Sequence, residues 1–179
     1  RIMQRNNKSV QDQRPVVLIG MMGVGKSTIG RRLALRLGLP FVDADDAIED
    51  AAGMTIPEIF EKFGEAGFRD GERRVIARLL EDGRQVIATG GGAFMNDETR
   101  ALILEKAVAI WLNTDIDILV ERVARRDHRP LLKGKDPRKV LLELAEIRNP
   151  VYAQAPLHIR SGDGPHEQTV DRIMEALEA

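Results

Sequence analysis

The stretch Gly20-Met21-Met22-Gly23-Val24-Gly25-Lys26-Ser27-Thr28 restricts this chain more than any other. It follows the apolar run Val16–Ile19 and leads into Lys26–Leu37, where apolar residues recur at helical spacing until Gly38. A strand, a glycine-rich turn and a helix in succession, written Gly-x-x-x-x-Gly-Lys-Ser, has the form of a phosphate-binding loop. Glycines allow positive φ and close backbone approach, so successive N–H groups can converge on phosphate oxygens with a helix N-terminus behind them. Gly23, Val24, Gly25, Lys26, Ser27 and Thr28 are therefore expected to hold a nucleotide. Lys26 would reach its β- and γ-phosphates and the Ser27 hydroxyl would meet Mg²⁺. The pattern specifies a nucleoside triphosphate but leaves kinase, ATPase and GTPase open. No Asn-Lys-x-Asp tetrad occurs, which favours adenine over guanine.

The remainder of the chain alternates between short apolar runs and helical patterns. Pro40–Asp43, Gln85–Ala88, Val108–Leu112 and Leu157–Arg160 read as further strands. Asp45–Ala52, Ile56–Phe63, Ala66–Leu80, Asp97–Glu105, Ile116–Arg125, Arg138–Ala153 and Val170–Leu177 read as helices. Such alternation implies parallel pairing through right-handed crossovers, hence an α/β sandwich around a five-stranded sheet. Ligands of such sheets sit beyond the carboxyl ends of the strands. The glycine loop, Asp43 with Asp45, and Gly90-Gly91-Gly92 all follow strands directly.

No strand closes with four apolar residues and an Asp, so Asp43, after Phe41-Val42, is the candidate for the second metal-side carboxylate beside Ser27. In an extended segment residues i and i+2 face the same way, so Asp43 and Asp45 can both face the loop. One would serve Mg²⁺, through water, and the other would accept a proton from an attacking hydroxyl. The alternative for Asp45 is a helix N-cap, since Asp46-Ala47-Ile48-Glu49 follows.

Bulk properties exclude several classes. The 179 residues fit one domain, and the 43% apolar fraction suffices for a core. A net charge of −1 argues against a dedicated nucleic-acid binder. Residues 1–14 carry Arg1, Arg5, Lys8 and Arg14 against Asp12, the composition of a flexible basic tail. There is no cysteine and no apolar run near the roughly 20 residues that span a bilayer. A cytoplasmic protein without a membrane partner is the expectation.

With these pieces in order, the sequence resembles the shikimate kinase family, within the nucleoside-monophosphate-kinase-like group. The resemblance rests on Gly20–Thr28, Phe41-Val42-Asp43-Ala44-Asp45, Gly64-Glu65-Ala66-Gly67-Phe68-Arg69 with Glu72, Gly90-Gly91-Gly92-Ala93, and Arg129-Pro130-Leu131-Leu132 followed by Arg148-Asn149-Pro150-Val151-Tyr152. It spans about residues 15–178. It implies a three-layer α/β fold with parallel strand order 2-3-1-4-5 and one kinase domain over 15–179. Within that domain it implies a shikimate-binding region near 44–80 and a mobile lid near 126–137. The implied reaction moves the γ-phosphoryl of ATP to the 3-hydroxyl of shikimate, with Mg²⁺, in a monomer.

The resemblance also implies roles. Asp45 would bind ring hydroxyls and act as base, while Arg69 and Arg148 would clamp the carboxylate. Gly90, Gly91 and Gly92 would admit the ring, and Phe60 and Phe68 would pack its faces. Lys26 and Arg129, the latter from the lid, would stabilise the transferring phosphoryl group. Arg122 and Pro165 would sandwich the adenine. Each has a plainer alternative. Arg69 can be a solvated helix residue paired with Asp70 or Glu72, Arg148 a helix-end cation, Arg122 a solvated neighbour of Glu121, and the two phenylalanines core. His128, His158 and His166 show no ligand spacing. A related small-molecule kinase, such as a gluconate kinase, and a kinase-like binding module without turnover are the rival readings.

Overall fold

Among the described residues, five parallel strands, β1 (Val16–Ile19), β2 (Phe41–Asp43), β3 (Val86–Ala88), β4 (Val108–Asn113) and β5 (Leu157–Arg160), form a single sheet in the order β2-β3-β1-β4-β5. The computed structural model describes residues 13–125 and 134–178. Most of the basic tail, residues 126–133 of the expected lid and Arg129 with them lie outside the described residues.

Strand β1 (Val16–Ile19) is buried along its whole length, as a central strand covered on both faces must be. It pairs with β3 (Val86–Ala88) on one side and β4 (Val108–Asn113) on the other, placing Val17 beside both Ile87 and Ala109. Strand β2 (Phe41–Asp43) adds to β3, and β5 (Leu157–Arg160) adds to β4. This register brings Ile19, Asp43 and Ala88 to one end of the sheet, where the polar segments begin.

Helix α1 (Lys26–Leu37) starts from Gly25, whose φ of 97° lies in the left-handed region that an L side chain rarely adopts. It ends at Gly38, whose N–H returns to the Ala34 and Leu35 carbonyls. Helix α2 (Ala44–Ala52) begins directly at the end of β2. Helix α3 (Ile56–Glu81) opens on a capping box, with Thr55 and Glu58 each satisfying the other's backbone N–H. It bends at Gly64 (φ 71°, ψ −179°), so its two arms match the two separate helices expected from the sequence. Helices α4 (Asp97–Lys106), α5 (Ile116–Ala124) and α6 (Pro137–Tyr152) follow their expected spans within a residue or two.

The last helix, α7 (His166–Glu178), begins four residues before the expected Val170. Its first turn, His166-Glu167-Gln168, carries no apolar residue, so the helical period was silent there. Helix α7 packs on α1, α2 on α3, and α5 on α6. No helix among the described residues is long and apolar enough to cross a membrane.

Candidate active site

The glycine loop folds as a cradle at the carboxyl end of β1. The Lys26 ammonium donates to the Gly20 carbonyl and, at 3.0 Å, to the Met21 carbonyl. One residue on, the Ser27 hydroxyl donates to Asp43 Oδ2 at 2.6 Å. Asp43 Oδ1 meanwhile accepts from the backbone N–H of Asp45 at 2.9 Å and of Asp46 at 3.3 Å.

Asp43 is therefore the N-cap of α2, and Asp45 is not. The expected extended segment through Asp45 is also corrected, because the helix starts at Ala44. Both carboxylates nevertheless line one cavity with the loop, Asp45 from the first helical turn instead of a strand. Burial, and then the neighbouring Asp43 carboxylate, push the Asp45 carboxyl above the ordinary carboxylate range, with Lys26 opposing them.

Gly90, Gly91 and Gly92 have a common reason for lacking side chains. A Cβ at Gly90 would stand 3.0 Å from Asp45 Oδ1, and one at Gly91 would stand 2.8 Å from Arg148 Nη1. At Gly92 it would overlap the Arg69 guanidinium. One strip of bare backbone thus receives three charged side chains, from α2, α6 and α3.

Arg69 donates to Glu72 at 2.8 Å, and Glu72 is only 2% exposed. Burial pushes that carboxyl up, opposed by its bond to Arg69. Asp70 does not compete, since it pairs with Arg73 and Arg74. The Arg69 guanidinium also lies 5.1 Å from the Phe68 ring centre, and Phe68 stacks on Phe60 at 4.6 Å.

The cavity beside the loop has a volume of about 400 Å³ and includes Gly90 and Gly91 in its wall. Loop residues Gly23, Gly25, Lys26, Ser27 and Thr28 share this wall with the Asp45 carboxylate, a lining that suits a polyanion placed next to a hydroxyl acceptor.

A family model described as shikimate kinase matches residues 22–178. The chain belongs to the shikimate kinase family. A shikimate kinase of Caulobacter vibrioides is 62% identical over 162 residues, covering 90% of this chain and 81% of that protein. The structure of a shikimate kinase from Acinetobacter baumannii, a complex with shikimate, superposes with a TM-score of 0.89 at 36% identity, covering 96% of each chain. A gluconokinase from Sinorhizobium meliloti reaches a TM-score of 0.62 at 17% identity, covering 92% of this chain and 91% of that one, a likeness of fold alone.

Within this shikimate kinase fold, the residues singled out in the sequence take several places. Lys26, Ser27, Thr28, Asp43, Asp45 and Arg122 line the loop cavity. Arg69 and Arg148 lie behind Gly92 and Gly91. Phe68 lines instead a cleft of about 570 Å³ between α2 and α3, with Ile48, Ile59 and Phe63. Phe60 is 38% exposed.

Arg122 is not the solvated neighbour of Glu121, which pairs with Arg125. Its guanidinium donates to the Gly23 and Val24 carbonyls at 3.1 and 3.2 Å and to Gly162 at 3.2 Å. Pro165 is exposed, while His166 beside it lines the cavity. The Cε1 of His166 would lie 3.5 Å from a Cβ at Gly25. Spacing gave no signal for His166, because the contact exists only once α7 has packed on α1.

Proposed function

We propose that the protein transfers the γ-phosphoryl of ATP to the 3-hydroxyl of shikimate, yielding shikimate 3-phosphate and ADP. One observation carries this reading. The Asp45 carboxyl lines the same cavity as Lys26 and Ser27 and packs on Gly90, next to the two glycines covered by Arg148 and Arg69.

The triphosphate lies on the loop amides from Gly23 to Thr28, with Lys26 turned from the loop carbonyls to the β- and γ-phosphates. The shikimate carboxylate meets the forks of Arg69 and Arg148. Phe60 and Phe68 lie against its ring, and Gly90–Gly92 line its approach. The 3-hydroxyl oxygen attacks the γ-phosphorus, the bond to the β–γ bridging oxygen breaks, and the hydroxyl proton passes to Asp45. A raised carboxyl pKa suits that last role, since it strengthens the base.

The transition state is loose, so placement and charge dominate. Arg122 and Pro165 flank the adenine, and Arg129, outside the described residues, is the cation that the family resemblance assigns to the transferring phosphoryl group. The hydroxyl of Ser27 and the carboxylate of Asp43 are a hard-oxygen pair that fits Mg²⁺. When bound, Mg²⁺ neutralises phosphate charge. The reading includes the family's default of a cytoplasmic monomer.

ADP release coupled to NADH oxidation tests the assignment. Turnover that requires shikimate, and that gluconate cannot replace, is the expected result. ADP release indifferent to shikimate would overturn it.

A further inference from the structure

The glycine strip is held from below by a side chain with no role in the reading above. Tyr152, the single tyrosine of the chain, is completely buried at the end of α6. Its hydroxyl donates to the Gly91 carbonyl. Its ring packs 5.9 Å from Trp111 on β4 and 6.5 Å from Phe94, which follows the strip. Tyr152 lies four residues after Arg148, so the two occupy one face of α6 a turn apart. Arg148 covers Gly91 from one side while Tyr152 holds the carbonyl of that same residue.

The bond fixes more than one atom. A peptide unit is planar and trans, so anchoring the Gly91 carbonyl also fixes the Gly92 N–H on its opposite edge. Glycine backbone has more freedom than any other; the Gly90 and Gly92 carbonyls accept from the N–H groups of Ala93 and Met95, and Tyr152 supplies the bond to the carbonyl between them. Burial raises the phenol pKa, so the hydroxyl keeps its proton and remains a donor at neutral pH.

We infer that Tyr152 is a positioning residue for shikimate. It clamps the Gly91 carbonyl and lies directly against the Arg148 guanidinium, and so sets the glycine strip and the seats of Arg148 and Arg69. This rests on the shikimate reading of the site. Tyr152 touches neither reactant, so its removal should spoil acceptor binding without touching the nucleotide.

Tyr152→Phe deletes the hydroxyl and keeps the ring. The expected result is a rise of about tenfold in KM for shikimate, with kcat changed less than threefold and KM for ATP within about twofold. Arg148→Lys combined with Tyr152→Phe should cost less than the product of the two single effects, because both act on one strip. A KM for shikimate within twofold of wild type would overturn the inference, as would equal rises for shikimate and ATP.

Where the Phe variant melts below the assay temperature, a second measurement replaces it. Growth on 3-fluorotyrosine labels the one tyrosine position, giving one ¹⁹F resonance. Saturating shikimate should shift that resonance more than saturating ADP does, and a resonance unmoved by shikimate would overturn the inference. Wild-type protein that binds no shikimate by calorimetry would instead sink the shikimate reading itself, so the two failures are distinguishable.

Discussion

Ser27 donates to Asp43 at 2.6 Å across 16 residues of chain, and the other oxygen of the same carboxylate caps helix α2. Asp43 thus ties the phosphate loop to the start of the helix that carries Asp45. Two substitutions separate these jobs. Asn caps a helix about as well as Asp, so Asp43→Asn should melt within about 2 °C of wild type. It loses the negative charge, however, and activity should fall about a hundredfold, with a higher Mg²⁺ requirement. Asp43→Ala should lose the activity and about 1 kcal/mol of stability as well. Thermal melts and Mg²⁺ titrations of initial rate check both.

On the proposed reading, Asp45 serves the reaction at the expense of the unliganded fold. Burial and the Asp43 carboxylate raise its pKa in the folded state. The folded protein therefore binds a proton at pH values where the unfolded chain has released it. That contribution is fully present below the ordinary carboxylate pKa and is lost as pH rises through the raised value. At neutral pH the ionised carboxylate is a net cost. Asp45→Asn should consequently lower turnover by about 10²- to 10⁴-fold and raise the melting temperature in EDTA at pH 7. The gain should shrink as pH is lowered past the raised pKa. A variant that melts lower at pH 7 would show that the carboxylate is better satisfied than its surroundings imply.

The glycine strip makes a different prediction. An alanine at position 92 would overlap the Arg69 guanidinium, which sits at the end of a flexible side chain and can move. Gly92→Ala should therefore fold while displacing Arg69. KM for shikimate should rise about tenfold or more, as for a lost charge-assisted contact, with KM for ATP little changed. Steady-state kinetics with each substrate varied in turn measures this. Equal changes in both constants would mean that the strip serves the nucleotide as well.

What was legible in the sequence follows a physical rule. The loop from Gly20 to Thr28 and the strand-end carboxylates could be read because their chemistry demands fixed residue types at fixed spacing. The double duty of Asp43 could not be read, since it depends on α2 starting one residue earlier than extended geometry would allow. The contacts of Arg122 join residues 99, 98 and 40 positions away, and no local pattern encodes them. The triplet at Gly90–Gly92 is legible as backbone that something approaches closely, but not what approaches it. What presses on it in the structure is Asp45, Arg148 and Arg69, three side chains from three separate helices.

Arg122 provides the last test, because its fork bridges two loops. Its donors reach the carbonyls of Gly23 and Val24 in the phosphate loop and of Gly162 after β5. A planar guanidinium spreads its donors over a fixed fork and can serve these acceptors at once, whereas the three donors of a lysine ammonium all sit on one nitrogen and cannot span the same carbonyls. Arg122→Ala would leave the loop carbonyls without this partner and loosen the cradle from the β5 side. KM for ATP should rise about tenfold, the scale of one or two lost hydrogen bonds to a charged group. Arg122→Lys should recover little of that loss, because charge without the fork cannot rebuild the bridge. KM for shikimate should stay within about twofold in both variants, since no Arg122 bond reaches the glycine strip. Full recovery with lysine would mean that Arg122 acts by charge alone and that the bridge between the loops is incidental.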